Sequence, residues 1–271
     1  MDFAHNGSTK IAYETFGDGE PVLLIMGIGS QMVIWPEGFC AELACRGFAV
    51  TRFDNRDTGL STHFPEDAEY RLEDMADDAA AILDARGADR AHVVGLSMGG
   101  AIAQVLAVRH PDRVRTLTSM MSWSDLSTTR PDPAIFVELA KEFPDTEEGW
   151  QDRMAHITRV LGSTGYPVDE QWVREVARVS WSRAHDPGTL VRHDRAVKAT
   201  GDLRPRAAGI RVPTLVLHGE ADPLCTVEAG RETAAIIPGA RLVTYPGLGH
   251  DLPRELWSAF ADEIAAVAGK A

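Results

Sequence analysis

Three side chains far apart in the sequence have the types and settings that acyl transfer needs. Ser97 stands at the centre of Gly95-Leu96-Ser97-Met98-Gly99, after the apolar run Ala91-His92-Val93-Val94 and before Gly100-Ala101-Ile102-Ala103-Gln104-Val105-Leu106. That context predicts a strand, a sharp turn and a helix, with the serine in the turn. A hydroxyl is a poor nucleophile in water, so such a serine needs a base beside it and donors facing the oxygen that becomes anionic. Glycines on both sides allow a strained turn and remove side chains that would collide with the neighbouring strand and helix.

The base is read at His250, in Pro246-Gly247-Leu248-Gly249-His250-Asp251, and the carboxylate that orients it at Asp222, in His218-Gly219-Glu220-Ala221-Asp222-Pro223. Both follow strand-like runs, which places them over the carboxyl edge of a sheet, where open α/β sheets bind ligands. A buried carboxylate is required there to hold the imidazole in the right tautomer. Asp222 has a competing role as turn and cap for a helix starting near Thr226. Asp125, just past a strand ending near Met121, is the rival acid. His110 and His218 read as structural, the latter supporting the Asp222 loop. The run Asp54-Asn55-Arg56-Asp57-Thr58-Gly59-Leu60-Ser61 reads as a loop pinned near the site, with no chemical step of its own.

Positioning these groups requires alternating strands and helices. Strand-like runs at 10–16 and 22–26, with turn residues 17–21 between them, predict a hairpin. Further strands are expected at 48–54, 91–97, 114–121, 212–219 and 240–245, and helices at 72–86, 98–109, 226–237 and 253–268. Such alternation implies an α/β fold with a mostly parallel central sheet covered by helices on both faces. From 126 to 200 the alternation stops, and this stretch is expected to be a helical cap inserted into a core formed by 1–125 and 201–271. Trp123, Trp150, Trp172 and Trp181 lie in or beside it. Each alone reads as packing; together they suit an apolar pocket under the cap.

Composition narrows the partners. The 271 residues carry a formal net charge of −13, against the basic face that nucleic acid or anionic lipid demands. Three cysteines, Cys40, Cys45 and Cys225, without a metal-like cluster argue against a disulfide framework. No start resembling a signal peptide and no run of membrane-spanning length is read, so a soluble cytoplasmic protein is expected. Acidic stretches at 67–69 and 145–148 read as solvated surface.

The order Ser, Asp, His together with the strand-turn-helix setting of Ser97 resembles the α/β-hydrolase family over nearly the whole chain. Gly27-Ile28-Gly29, the 54–61 run, His218-Gly219-Glu220-Ala221-Asp222 and Gly247-Leu248-Gly249-His250 occur in that family's order. Within it, Met26-Gly27-Ile28-Gly29 and the 54–61 run look most like the aclacinomycin methylesterase group of bacterial hydrolases. The resemblance implies a carboxylic ester hydrolase with an acyl-enzyme intermediate and a small-molecule apolar ester as substrate, such as the methyl ester of a polyketide-like or other bulky apolar compound. It also implies backbone donors at Ile28 and Met98 for the oxyanion, and no metal or organic cofactor. Where many relatives have His-Gly, this chain has Met26-Gly27, which removes a side chain often found supporting that loop. Enol-lactone hydrolysis, carbon–carbon bond hydrolysis and cofactor-free haloperoxidase-like activity remain open on the same three residues. So does a non-catalytic ligand-binding fold.

Overall fold

In a computed structural model, residues 1–270 are described. Eight strands form one sheet: β1 (Asp2–Asn6), β2 (Thr9–Phe16), β3 (Glu20–Ile25), β4 (Phe48–Phe53), β5 (Ala91–Leu96), β6 (Val114–Met120), β7 (Thr214–Gly219) and β8 (Arg241–Tyr245). Their spatial order is β1-β2-β4-β3-β5-β6-β7-β8. The β1–β2 and β2–β4 pairs are antiparallel and all others parallel. The helices are α1 (Glu37–Ala44), α2 (Leu72–Ala85), α3 (Met98–Arg109), α4 (Pro133–Leu139), α5 (Glu147–Leu161), α6 (Glu170–Arg183), α7 (Thr189–Thr200), α8 (Arg204–Ala207), α9 (Val227–Ile236) and α10 (Trp257–Ala268).

Strand pleat explains the two-sided core. Successive side chains of β3 face opposite ways, so Leu23 and Ile25 pack with α2 and α3 while Val22 and Leu24 pack with α1 and α10. All four are buried to within 1 %. A fully buried Leu or Ile contributes roughly 2 kcal/mol, which is why a sheet rich in these residues, and covered on both faces, is the stable arrangement.

The expected hairpin between 10–16 and 22–26 does not form. β4 lies between them, antiparallel to β2 with Tyr13 opposite Phe53, and parallel to β3 with Leu23 opposite Thr51. The hairpin is formed instead by β1 and β2, across Gly7 at φ +58°. Residues 17–19 do reverse the chain, but they carry it across the start of β4, where the Glu20 amide donates to the Gly47 carbonyl at 3.0 Å. Turn residues set a change of direction; the pairing partner is decided by which strand buries its faces best.

Between β6 and β7 the chain holds α4 to α8 and no strand. Local signals start these helices: Thr146 Oγ1 accepts from the Gly149 amide, and Asp169 and Asp132 cap α6 and α4. The elements bordering the rest match the residue patterns to within a few positions, except that α10 begins at Trp257 after a short 3₁₀ turn at Arg254–Leu256.

Candidate active site

Ser97 lies between β5 and α3, as the N-cap of α3, with φ +56° and ψ −123°, a conformation a non-glycine residue rarely holds. Only absent side chains let the chain turn so sharply. A Cβ on Gly95 would collide with the backbone of Gly99, one on Gly99 with the Ile25 carbonyl, and one on Gly27 would lie 3.2 Å from Ser97 Cβ. The Ser97 amide donates to the Met120 carbonyl at 2.9 Å, holding the turn to β6. The side chain is 6 % exposed at the carboxyl edge of the sheet.

Asp222 follows β7 and His250 follows β8, at the same edge as Ser97. The His250 Nδ1–H donates to Asp222 Oδ2 at 2.7 Å, while Asp222 Oδ1 accepts the amides of Leu224 at 2.9 Å and Cys225 at 2.8 Å. The carboxylate is thus aimed by its own loop. Burial alone would lower the His250 imidazole, but the Asp222 charge, the bond to it and the Asp251 charge outweigh burial and shift it upward. Ser97 Oγ has no hydrogen-bond partner among the described residues; in unliganded enzymes such bonds are commonly long and tighten with substrate present.

Asp125 stands apart from this pair. Its oxygens accept from the amide and hydroxyl of Ser127, and it forms an ion pair with Arg204 at 3.0 Å. His218 serves the Asp222 loop: its Nε2–H donates to the Cys225 carbonyl at 2.7 Å, and burial lowers its pKa so that the ring stays neutral. The Cys225 thiol beside it is pushed well up by burial.

The amides of Ile28 and Met98 have no acceptor among the described residues. Met98 is the first residue of α3, where an N–H has no intrahelical partner and the helix dipole favours negative charge. The loop carrying Ile28 is held at several atoms: Asn55 Nδ2 donates to the Met26 carbonyl at 3.0 Å, and the Ser30 amide to the Gly27 carbonyl at 3.4 Å.

The 54–61 run does pin this loop, and it also grips the inserted helices. Asp54, fully buried, accepts from the Met32 and Leu60 amides and pairs with Arg183 of α6 at 2.5 Å. Asp57 pairs with Arg192 of α7 at 3.0 Å, and its carbonyl accepts from Thr189 Oγ1 at 2.6 Å. Gln31 donates to the Ser180 and Ala184 carbonyls, both at 2.8 Å. Arg183 and Arg192 carry no sequence signal of this role, because single polar residues on amphipathic helices look like solvated surface, and Gln31 is a lone polar residue in the loop after β3.

The tryptophans divide. Trp150 and Trp181 enclose His185, with ring centroids 5.4 and 3.9 Å away, and Trp150 Nε1 donates to Ser180 Oγ at 3.0 Å, joining α5 to α6. Trp172 is 36 % exposed and Trp123 is buried in the core. The anticipated aromatic pocket is therefore not made by the four together. Among the described residues no helix is long and apolar enough to cross a membrane.

Comparison with known proteins agrees with the geometry of the sheet edge. A family model described as alpha/beta hydrolase fold matches residues 20–253. Rhodomycin D methylesterase DauP of Streptomyces sp. (strain C5) is 30 % identical over 91 % of this chain and 90 % of its own length. Rhodomycin D methylesterase DnrP of Streptomyces peucetius is 28 % identical over 96 % and 95 %. The crystal structure of the enol-lactonase from Burkholderia xenovorans LB400 superposes with a TM-score of 0.79 at 26 % identity, covering 99 % of this chain and 100 % of that one. The chain therefore belongs to the α/β-hydrolase fold family, as one of its hydrolases.

Proposed function

We propose that this protein is a serine hydrolase of carboxylic esters, working through an acyl-enzyme on Ser97, His250 and Asp222. The observation that carries the reading is the 2.7 Å bond from His250 Nδ1–H to Asp222, at the sheet edge that also carries Ser97 in its strained turn. With Nδ1 protonated and bound, Nε2 is left as the lone-pair nitrogen, the tautomer a general base requires. That nitrogen takes the Ser97 proton as Oγ bonds to the ester carbonyl carbon, and the carbonyl π pair moves onto oxygen. The Ile28 and Met98 amides receive that oxyanion; losing one such donor typically costs about 3 kcal/mol. Collapse restores the carbonyl and expels the alkoxide, which leaves as alcohol with the proton from His250. Water then attacks the acyl-enzyme with His250 again as base, releasing the acid and Ser97. The charge on Asp222 stabilises the imidazolium formed in both halves.

The substrate class proposed is a small-molecule methyl ester of a bulky apolar acid, supported by full-length similarity to two proteins named as rhodomycin D methylesterases. Cap residues 126–200 would set its size. Enol-lactone hydrolysis is the second reading, supported by the likeness to the Burkholderia enol-lactonase. A screen of methyl, p-nitrophenyl and lactone substrates beside Ser97→Ala tests both. Loss of turnover and of fluorophosphonate labelling in the variant is expected, with preference for large methyl esters in the unmodified enzyme. Turnover that survives Ser97→Ala would overturn the mechanism.

A further inference from the structure

His193 lies on α7, in the middle of an inserted helix, yet it is fully buried and touches the loop that carries Ile28. The Gly29 amide donates to its Nδ1 at 3.0 Å. The opposite nitrogen, Nε2, lies 2.8 Å from the Arg56 carbonyl and must therefore carry the proton and donate it. One neutral tautomer thus joins the 54–61 run to the 27–29 loop. Burial pushes this imidazole down to about 4, so the Nδ1 lone pair persists through the neutral range.

We infer that His193 is a positioning residue for the proposed oxyanion site, fixing the Ile28–Gly29 peptide and so the direction of the Ile28 N–H. The loop needs such a fixture. Glycines flank Ile28, and Gly29 at φ +67° sits in a region where glycine is free to leave without steric penalty. The peptide between Ile28 and Gly29 is clamped at both ends: its N–H by His193, and its carbonyl by Ser30 Oγ at 3.3 Å. Misaiming an oxyanion donor is costly because the donor must meet the charge where it develops, without reorganising. A residue of the inserted region thereby acts on the rate as well as on what enters.

The inference rests on the ester-hydrolase reading, and two amide variants separate the functions of the two nitrogens. Asn places an acceptor oxygen where Nδ1 stands; Gln places its amide near Nε2 and leaves the Gly29 N–H without an acceptor. His193→Gln is expected to lower kcat about 10- to 100-fold with KM changed less than about 3-fold, and His193→Asn to keep kcat within about 5-fold. Affinity for a trifluoromethyl ketone, whose Ser97 adduct carries the oxyanion, should fall in step with kcat, while affinity for the carboxylate product stays level. A His193→Gln enzyme with unchanged kcat and ketone affinity overturns the inference. If that variant does not fold, Ser30→Ala, which releases the carbonyl end of the same peptide, is expected to show the same kcat-selective loss, and an unchanged kcat there overturns it. Absence of Ser97-dependent turnover in the unmodified enzyme would instead overturn the parent reading.

Discussion

Ser163 Oγ donates to Asp251 Oδ1 at 2.5 Å, so the connection between α5 and α6 is fastened to the residue that follows His250. The same oxygen accepts from the Gly249 amide at 3.0 Å, the His250 amide donates to the Leu161 carbonyl at 2.7 Å, and the Thr164 and Gly165 amides both donate to the Gly247 carbonyl at 2.9 Å. The approach is close enough that a Cβ on Gly249 would strike the backbone of Gly162. The proposed base is therefore held by the inserted segment as much as by its own strand.

Ser163→Ala removes one donor and one acceptor from this joint and leaves the Gly249 N–H unpaired. A loss of about 2 kcal/mol in urea unfolding is expected, together with a fall in kcat of about 10-fold as the His250 loop loosens. Stability and kcat both at the level of the unmodified enzyme would show that the joint does not position the imidazole.

The upward shift of His250 gives a pH prediction with a definite sign. A general base works in its neutral form, so the acid limb of kcat/KM should have its midpoint above the ordinary histidine value of about 6.5. Asp222→Asn removes the charge that raises it and presents an amide that favours the wrong tautomer. A drop of roughly 10⁴ in kcat is expected, with the remaining acid limb displaced to lower pH. Asp125→Asn, which touches only Ser127 and Arg204, should leave the profile in place. A profile that moves with residue 125 and not with 222 would transfer the acid role.

The buried Asp54–Arg183 pair should reveal itself through pH-dependent stability. Burial raises the Asp54 carboxyl, and Arg183 is the chief influence opposing that rise. Removing the guanidinium in Arg183→Ala strands a charge and is expected to cost about 3 kcal/mol at pH 8. The folded carboxyl then binds a proton more tightly than the unfolded one, so the folded state gains as pH falls, and the cost should be smaller at pH 5. Urea unfolding at the two pH values checks this; a cost that grows toward pH 5 would contradict the assignment.

Local geometry made the nucleophile turn readable in advance. The glycines at 95 and 99 are required within a few residues of Ser97, where the chain passes strand and helix at contact distance. Both strand faces are buried, so runs such as Val22 to Ile25 announce themselves by composition. The hairpin between 10–16 and 22–26 fails for the complementary reason: residues 17–21 encode a reversal, and nothing local says that β4 enters between the two strands.

Chain order and residue type alone pointed to the fold class, to most core strands and helices, and to Ser97 and His250 with Asp222 and Asp125 as rival acids, since glycine spacing and alternation are short-range properties. Tertiary structure alone decided between Asp222 and Asp125 as the partner of His250, and brought His193 and Arg183 from α7 and α6, and Ser163 from the connection between α5 and α6, to the loops around the site. The contacts of His193, Ser163 and Arg183 join residues from 88 to 164 positions apart. No periodicity spans such a separation; a hydrogen bond depends on where the packed core finally sets each backbone.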